Sequence, residues 1–158
     1  MDVDPVEEGA SCNPIPTSAR LAQRLVGTVN RYQAQMVKAL KPYDLGASEY
    51  PVLITLRHRE RRGESPDGCS QRDVAKRQHR DPALINRVAK SLVAKGLITM
   101  EVDQRSRNRR LMKLTDEGRQ LADEVIALVT AWEDRAVGPL NAAEEKQLMN
   151  LLSRLDIG

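Results

Sequence analysis

Apolar residues recur every three or four positions between residues 21 and 40. This spacing places one apolar stripe along a helix, and Pro42 ends the helix because proline cannot continue a helix interior. A second helix is predicted to begin at Ser48, with Pro51 in its first turn. Its apolar face is formed by Val52, Leu53 and Leu56. The pattern therefore predicts two amphipathic helices in the first part of the chain.

Two shorter helices are predicted in close succession after a charged loop. Ser70 and Asp73 fit a capping box, in which each side chain accepts a hydrogen bond from a free backbone N–H. Asp81 followed by Pro82 marks the start of the next helix, and Gly96 marks its end. Two helices joined by such a tight turn are typical of a helix-turn-helix.

The second helix of this pair has two chemically different faces. One face is apolar and carries Leu84, Ile85, Val88 and Leu92. The opposite face carries Ala83, Asn86, Arg87 and Lys90. A small residue, an amide, a guanidinium and an ammonium suit the base edges and phosphates of a DNA major groove. The alternative is the ordinary polar side of an amphipathic helix.

Two β-type runs follow, at residues 97–102 and 111–114. The segment between them carries four arginines, which are Arg105, Arg107, Arg109 and Arg110. We interpret this region as a β-hairpin whose basic tip meets phosphates. A helix-turn-helix followed by such a hairpin is a winged helix, so the predicted fold is mainly α with a small β-hairpin wing.

Two more helices are predicted at the end of the chain. Thr115 suits the N-cap of the first, whose stripe consists of Leu121, Val125, Leu128 and Trp132. Asn141 and Glu144 form a capping signature for the last helix, whose stripe consists of Leu148, Leu151, Leu152 and Leu155. Together with the first helix, these stripes exceed what one small winged helix can cover. We therefore infer a partner subunit.

Charge is distributed unevenly over the 158 residues. Residues 57–113 contain 16 lysines and arginines against 7 aspartates and glutamates, a balance of +9, and the remainder has a balance of −6. A basic middle between acidic ends is typical of a polyanion-binding module, although a basic solvated surface is the alternative. Aromatic residues total 3%, which argues against the stacking platforms of RNA-recognition sheets and single-strand grooves.

Several other classes of protein are disfavoured by the sequence. No apolar run approaches the roughly 20 residues of a membrane span, and the N-terminus lacks a secretory signal. Cys12 and Cys69 fit neither a metal site nor a disulfide framework. His58 and His79 are scattered, and catalytic nucleophile and phosphate-loop motifs are missing. We therefore expect a cytoplasmic protein that is not an enzyme and uses no metal or cofactor.

Residues 70–125 resemble the MarR family of bacterial winged-helix transcriptional regulators. The resemblance is carried by LVAKGLI at residues 92–98, DQRS at 103–106 and LTDEGR at 114–119, and it extends with the flanking helices over residues 18–155. It implies a dimerisation helix at 18–46, a DNA-binding winged helix at 47–115 and dimerisation helices at 116–158. Residues 1–17 are acidic, contain three prolines and lack apolar periodicity, so they are expected to form a disordered tail. The candidate DNA contacts are Ser70, Gln71, Arg72, Ala83, Asn86, Arg87, Lys90, Arg105, Ser106, Arg107, Arg109 and Arg110.

The family resemblance also implies a homodimer with intertwined terminal helices, bound to a pseudo-palindromic operator. It implies repression that is relieved by a small, often aromatic and anionic, effector bound between the dimerisation helices and the winged helix. Tyr32, Met36 and His58 are candidate effector contacts, but core or surface roles are favoured for them. Cys12 and Cys69 match the family's redox-sensing cysteine poorly, so an oxidant switch is the disfavoured alternative.

The sequence departs from the family pattern in the wing. The gap between Asp103 and the Leu114–Thr115 pair is about three residues longer than usual for the family. Either the wing is extended, or residues 106–108 occupy the motif positions without its acid, which leaves open the Asp–Arg pair that steadies the family's wing. The rival functional interpretation is a winged helix whose basic face meets an acidic protein partner.

Overall fold

The computed structural model describes residues 17–155, with side chains from residue 20 onward. The chain divides into two compact units, Met1–Gln35 and Met36–Gly158. Residues 1–16 of the predicted tail, with Cys12, lie outside the described residues. The elements in order are α1 Thr17–Leu40, a 3₁₀ turn Lys41–Tyr43, α2 Tyr50–Arg61, β1 Cys69–Ser70, α3 Gln71–Arg77, α4 Pro82–Ala94, β2 Ile98–Asp103, β3 Ser106–Leu114, α5 Asp116–Val137 and α6 Ala142–Arg154.

The helices follow the start and stop signals of the sequence. Helix α1 ends at Leu40, directly before the 3₁₀ turn that contains Pro42. Helix α2 begins at Tyr50 and not at Ser48, and Pro51 lies in its first turn as predicted. Ser70 and Asp81 cap α3 and α4, and Gly96 follows α4 at a φ of 70° that favours glycine. The predicted winged-helix architecture is confirmed.

The core of the second unit lies between α2, α4, α5 and the sheet. Its fully buried side chains include Leu53, Ile85, Leu92, Met112 and Val125. The apolar face predicted for α4 is the buried one, although Leu84 is only half-buried and Ala89 joins the core in addition. Because this face is buried, the opposite face of α4 is available to solvent.

The three strands form an antiparallel sheet in the order β1-β3-β2. Strand β1 was not predicted, since a two-residue strand has no periodicity of its own. The hairpin turn contains only Gln104 and Arg105, because Asp103 pairs with Ser106 across it. The prediction of four arginines at the tip was therefore wrong: the three after Arg105 lie within β3. The pairing beside this turn is irregular: Val102 pairs with Arg110 and Asp103 with Ser106, so residues 107–109 of β3 have no partner on β2.

Helix α5 packs through smaller residues than the sequence suggested. Its buried positions are Gly118, Ala122, Val125 and Val129. Of the predicted stripe only Val125 is buried, whereas Leu121, Leu128 and Trp132 are half-buried. The buried line is displaced because α5 approaches β2 closely: a Cβ at position 118 would overlap the carbonyl oxygen of Leu97. Only glycine fits there.

We predict that Gly118→Ala lowers the free energy of unfolding by about 3 kcal/mol, because a methyl group forced against a backbone carbonyl requires the helix or the strand to move. Urea unfolding followed by circular dichroism measures this. Gln120→Ala, at an exposed position on the same turn, is the matched control and should change stability by less than about 0.5 kcal/mol. Equal stability of the two variants would contradict the close approach.

Candidate nucleic-acid interface

Side-chain hydrogen bonds fix the helix-turn-helix. The Ser70 hydroxyl accepts a hydrogen bond from the Asp73 backbone N–H at 3.1 Å, and the Asp81 carboxylate accepts one from Ala83 N–H at 2.6 Å. In the turn between the helices, the Gln78 amide donates to the Pro51 carbonyl at 2.9 Å and to the Thr55 hydroxyl at 3.0 Å. These bonds join the turn to α2, so α3 and α4 are held at a defined angle.

A groove of about 720 Å³ lies between α3, α4 and the wing. Five of the candidate residues from the sequence line it, which are Gln71, Ala83, Asn86, Lys90 and Arg110. Arg87 is exposed on the same helix. The groove also contains Met100 and Asn108, which sequence reasoning missed. Strand alternation was the available signal for Asn108, because it lies on the same side of β3 as Arg110.

A second groove of about 530 Å³ adjoins the first along the N-terminal end of α3. It is lined by the candidate residues Ser70, Gln71, Arg72, Ser106, Arg109 and Arg110. Ser70 differs from the others, because only 3% of it is exposed and its hydroxyl is the N-cap of α3. Ser70 therefore stabilises the start of α3, whereas the neighbouring Gln71 and Arg72 lie at the surface.

The wing arginines differ in their local electrostatics. The Arg109 guanidinium donates to the Asp73 carboxylate at 2.7 Å, and its Nε lies 3.8 Å from Asp103. The sequence predicted only a capping role for the Asp73 carboxylate, but in the structure it also pairs with Arg109 of the wing. The hydrogen bond with Ser70, assisted by Arg109, lowers the pKa of Asp73 and keeps it charged. Arg105 is 86% exposed and lies 3.6 Å from Asp67. Arg109 joins the wing to α3, whereas Arg105 extends into solvent.

A buried carboxylate positions the C-terminal half of α4. Glu49 is 8% exposed and accepts hydrogen bonds from the Ser91 hydroxyl at 2.6 Å, the Lys95 ammonium at 2.9 Å and the Gly46 N–H at 2.7 Å. Lys95 also donates to the Asp44 carbonyl. Burial alone would raise the pKa of Glu49, but the three hydrogen bonds and the Lys95 charge lower it. Glu49 therefore stays ionised and holds α4 against the start of α2.

Ion pairs connect the winged helix to α5. The Arg57 guanidinium donates to both oxygens of Asp123, at 2.7 and 2.9 Å, and Arg61 reaches the same carboxylate at 2.8 Å. Arg119 donates to Glu60 at 2.7 Å. The hydrogen bond from Arg57 lowers the pKa of Asp123. Helices α2 and α5 are thus linked by a two-point polar contact beside their apolar packing.

The candidate effector contacts occupy different environments. Met36 is fully buried in the core, the role that the sequence favoured. His58 is half-buried on α2, and Tyr32 is half-buried in the first unit. Cys69 is buried on β1. Within residues 17–155 no group of histidines, cysteines and acids is arranged to hold a metal ion. No helix in that part of the chain is long and apolar enough to cross a membrane.

Comparison with known proteins agrees with this geometry, although no family model matches the chain. The MarR family transcriptional regulator from Rhodococcus sp. RHA1 superposes with a TM-score of 0.73 at 27% identity, over 87% of this chain and 92% of that one. The chain therefore has the winged-helix fold of MarR family regulators and is similar to them in sequence. The recognition made from the sequence motifs is thereby confirmed.

Two further similar proteins are regulators or bind DNA. BpsR of Bordetella bronchiseptica, whose DNA binding is regulated by 6-hydroxynicotinic acid, superposes with a TM-score of 0.72 at 26% identity, over 90% of this chain and 97% of BpsR. The HTH-type transcriptional regulator BilQ of Clostridium symbiosum is 29% identical over 93 residues, or 59% of this chain. The match spans 64% of the length of BilQ.

We predict that Glu49→Gln lowers the free energy of unfolding by about 2 kcal/mol at pH 7, because it removes a buried charge from three donors. Since the folded-state pKa lies below its ordinary value of 4.5, this stabilisation is complete above that value. It disappears as the pH falls through the lowered pKa, so wild type and variant converge in acid.

Chemical unfolding at a series of pH values measures this convergence. Glu101→Gln is the matched control, because Glu101 forms an exposed ion pair with Lys113 at 3.0 Å and should contribute less than about 0.5 kcal/mol. A constant difference between wild type and Glu49→Gln down to strongly acidic pH would argue against an ionised Glu49.

Proposed function

We propose that this MarR-type protein is a sequence-specific, double-stranded DNA-binding transcriptional regulator that acts in the cytoplasm. In this proposal it is a repressor that binds a pseudo-palindromic operator as a homodimer and responds to a small aromatic or anionic effector. The observation that carries the proposal is the groove between α4 and the wing, where Asn86, Lys90 and Arg110 lie together. The amide and ammonium groups on α4, together with the guanidinium group on β3, match the edges and phosphates of a major groove.

The two parts of the surface have separate tasks. Helix α4 presents Asn86 and Arg87 for base edges. The wing presents Arg105 and Arg107 for the phosphate backbone. The balance of +9 over residues 57–113 supports attraction to a polyanion. Arg109 is neutralised by Asp73, so we assign it to holding the wing in place.

The regulatory part of the proposal rests on the α2–α5 junction. BpsR, which has a similar fold, is a protein whose DNA binding is regulated by 6-hydroxynicotinic acid. An effector that altered the Arg57–Asp123 contact would change the angle between the winged helix and α5. That angle sets the distance between the two α4 helices of a dimer. This distance must match the spacing between the two half-sites of an operator.

The alternative function is a winged helix that binds an acidic protein. Random-sequence duplex DNA distinguishes the two. A regulator binds it with an affinity that falls linearly with salt on logarithmic axes, whereas a protein-contact module does not bind it tightly at low salt.

We predict that replacing both Arg105 and Arg107 by Ala flattens this log–log slope by up to about 3.6 units in a dimer, since each phosphate contact contributes about 0.9. Fluorescence anisotropy from low to moderate salt measures the slope. Arg109→Ala is the matched control on the same strand and should alter the slope much less. An unchanged slope in the double variant, with fold and dimer intact, would refute the role of the wing.

The dimer rests on the terminal helices. Helix α6 has no buried residue, although it carries exposed apolar side chains at Leu148, Leu151 and Leu152, and Leu155 directly after the helix is exposed as well. On α1, Leu21, Val26 and Val29 are likewise half or more exposed. Apolar stripes of this length on two helices are typical of a subunit interface. A second copy of the chain is the occupant that we assign to them.

We expect light scattering at low micromolar concentration to give about twice the chain mass of 17.7 kDa. The double substitution Leu148→Glu with Leu152→Glu should yield monomer or aggregate, because it places charges on the apolar stripe. Asn150→Glu, at an exposed polar position of the same helix, should leave the dimer intact. A well-folded wild-type monomer at that concentration would contradict the dimer proposal.

A further inference from the structure

One part of the groove between α4 and the wing is apolar. Most residues that line the groove carry amides or positive charges, but Pro82, Ala83 and Met100 do not. Of these three, Pro82 and Ala83 are exposed and form the start of α4. In a helix that reads DNA, the N-terminal residues are the ones that contact base edges. The exposed apolar pair therefore occupies the part of α4 that is closest to the bases in such a complex.

Hydrogen bonds within the protein leave this pair with apolar groups alone. The Ala83 backbone N–H donates to the Asp81 carboxylate at 2.6 Å, and proline has no N–H. The carbonyls at the start of a helix accept from N–H groups one turn later. The methyl group of Ala83 and the ring methylenes of Pro82 are what this turn presents to a ligand. The Asn86 amide differs, because its hydrogen bond with Gln71 at 3.4 Å uses only one of its donors and lone pairs.

The base that suits an apolar contact in the major groove is thymine. Guanine presents two acceptors there, adenine an acceptor and a donor, and cytosine a donor. Each of these groups loses hydrogen bonds with water when an apolar surface covers it, and neither Pro82 nor Ala83 can replace those bonds. Thymine presents a C5-methyl group beside its acceptor. Burying that methyl group against alanine and proline is favourable, because it removes apolar surface from water.

We propose that Ala83, with Pro82 beside it, is a specificity-determining residue that packs against the C5-methyl group of a thymine. This inference rests on the proposed function, since it specifies which base the start of α4 recognises. The group that is recognised is a single methyl. Its contribution is therefore roughly fourfold in affinity, which is the effect of burying one methyl group.

The test begins with selection from a random-sequence duplex library by the full-length chain. The enriched sequence should contain a thymine at one or more positions of each half-site. Each thymine of that sequence is then replaced in turn by deoxyuridine, which lacks only the C5-methyl group. Fluorescence anisotropy measures the affinity for each duplex. At one thymine of a half-site the replacement should weaken binding roughly fourfold.

The variant Ala83→Gly shows whether the protein side of this contact is the alanine methyl group. Without that group, the effect of deoxyuridine at the same thymine should fall below about twofold. Ala94→Gly is the matched control, because it makes the same change at an exposed position at the other end of α4. This control should keep the roughly fourfold effect. Circular dichroism verifies that both variants are folded.

The possible failures distinguish the inference from the proposed function. If the chain enriches a sequence but no deoxyuridine replacement weakens binding, the inference is overturned and a sequence-specific DNA-binding protein remains. A deoxyuridine effect of equal size in wild type, Ala83→Gly and Ala94→Gly also overturns it, because Ala83 then does not contact the methyl group. A wild-type chain that enriches no sequence overturns the proposed function together with the inference.

Discussion

The absence of a side chain at Gly118 is the constraint on which the arrangement of the winged helix depends. At that point α5 passes directly against the carbonyl of Leu97. The Thr115 N–H donates to the same carbonyl at 3.1 Å, and the Thr115 hydroxyl donates to Gly96 at 2.7 Å. The end of α4, the start of β2 and the start of α5 therefore meet at one place. The backbone at this place therefore fixes α4, the wing and α5 relative to one another.

The helices could be predicted because their signals are local. Asp81 followed by Pro82 starts α4, and the apolar spacing within α4 identifies its buried face. The long-range parts could not be predicted in this way. Strand β1 exists only because Cys69 and Ser70 pair with β3, about forty residues later, and two residues carry no pattern. The residues of α5 that are buried differ from the predicted apolar stripe, because α5 lies so close to Leu97 at Gly118 that small residues face the core there.

The same distinction holds for the candidate site. Strand and helix faces, which follow from sequence spacing, brought Asn86, Lys90 and Arg110 to one groove. Sequence could not distinguish the arginines of the wing from one another, because their partners lie far away along the chain. Arg109 pairs with Asp73, which lies 36 positions earlier in the chain. A count of charged residues along the sequence cannot show this pair, so it does not distinguish Arg109 from Arg107. The hydrogen bond between Gln71 and Asn86 was equally invisible, since both residues were candidates only for separate DNA contacts.

The two-residue turn of the wing has a thermodynamic consequence. The Asp103 carboxylate accepts a hydrogen bond from the Arg105 N–H at 2.9 Å, and Arg109 joins the hairpin to α3. The backbone of the hairpin is therefore ordered before any polyanion arrives. Ordering a residue costs about 1 to 2 kcal/mol of conformational entropy, and a preformed wing has already met that cost during folding. Its electrostatic attraction can then appear almost entirely as affinity.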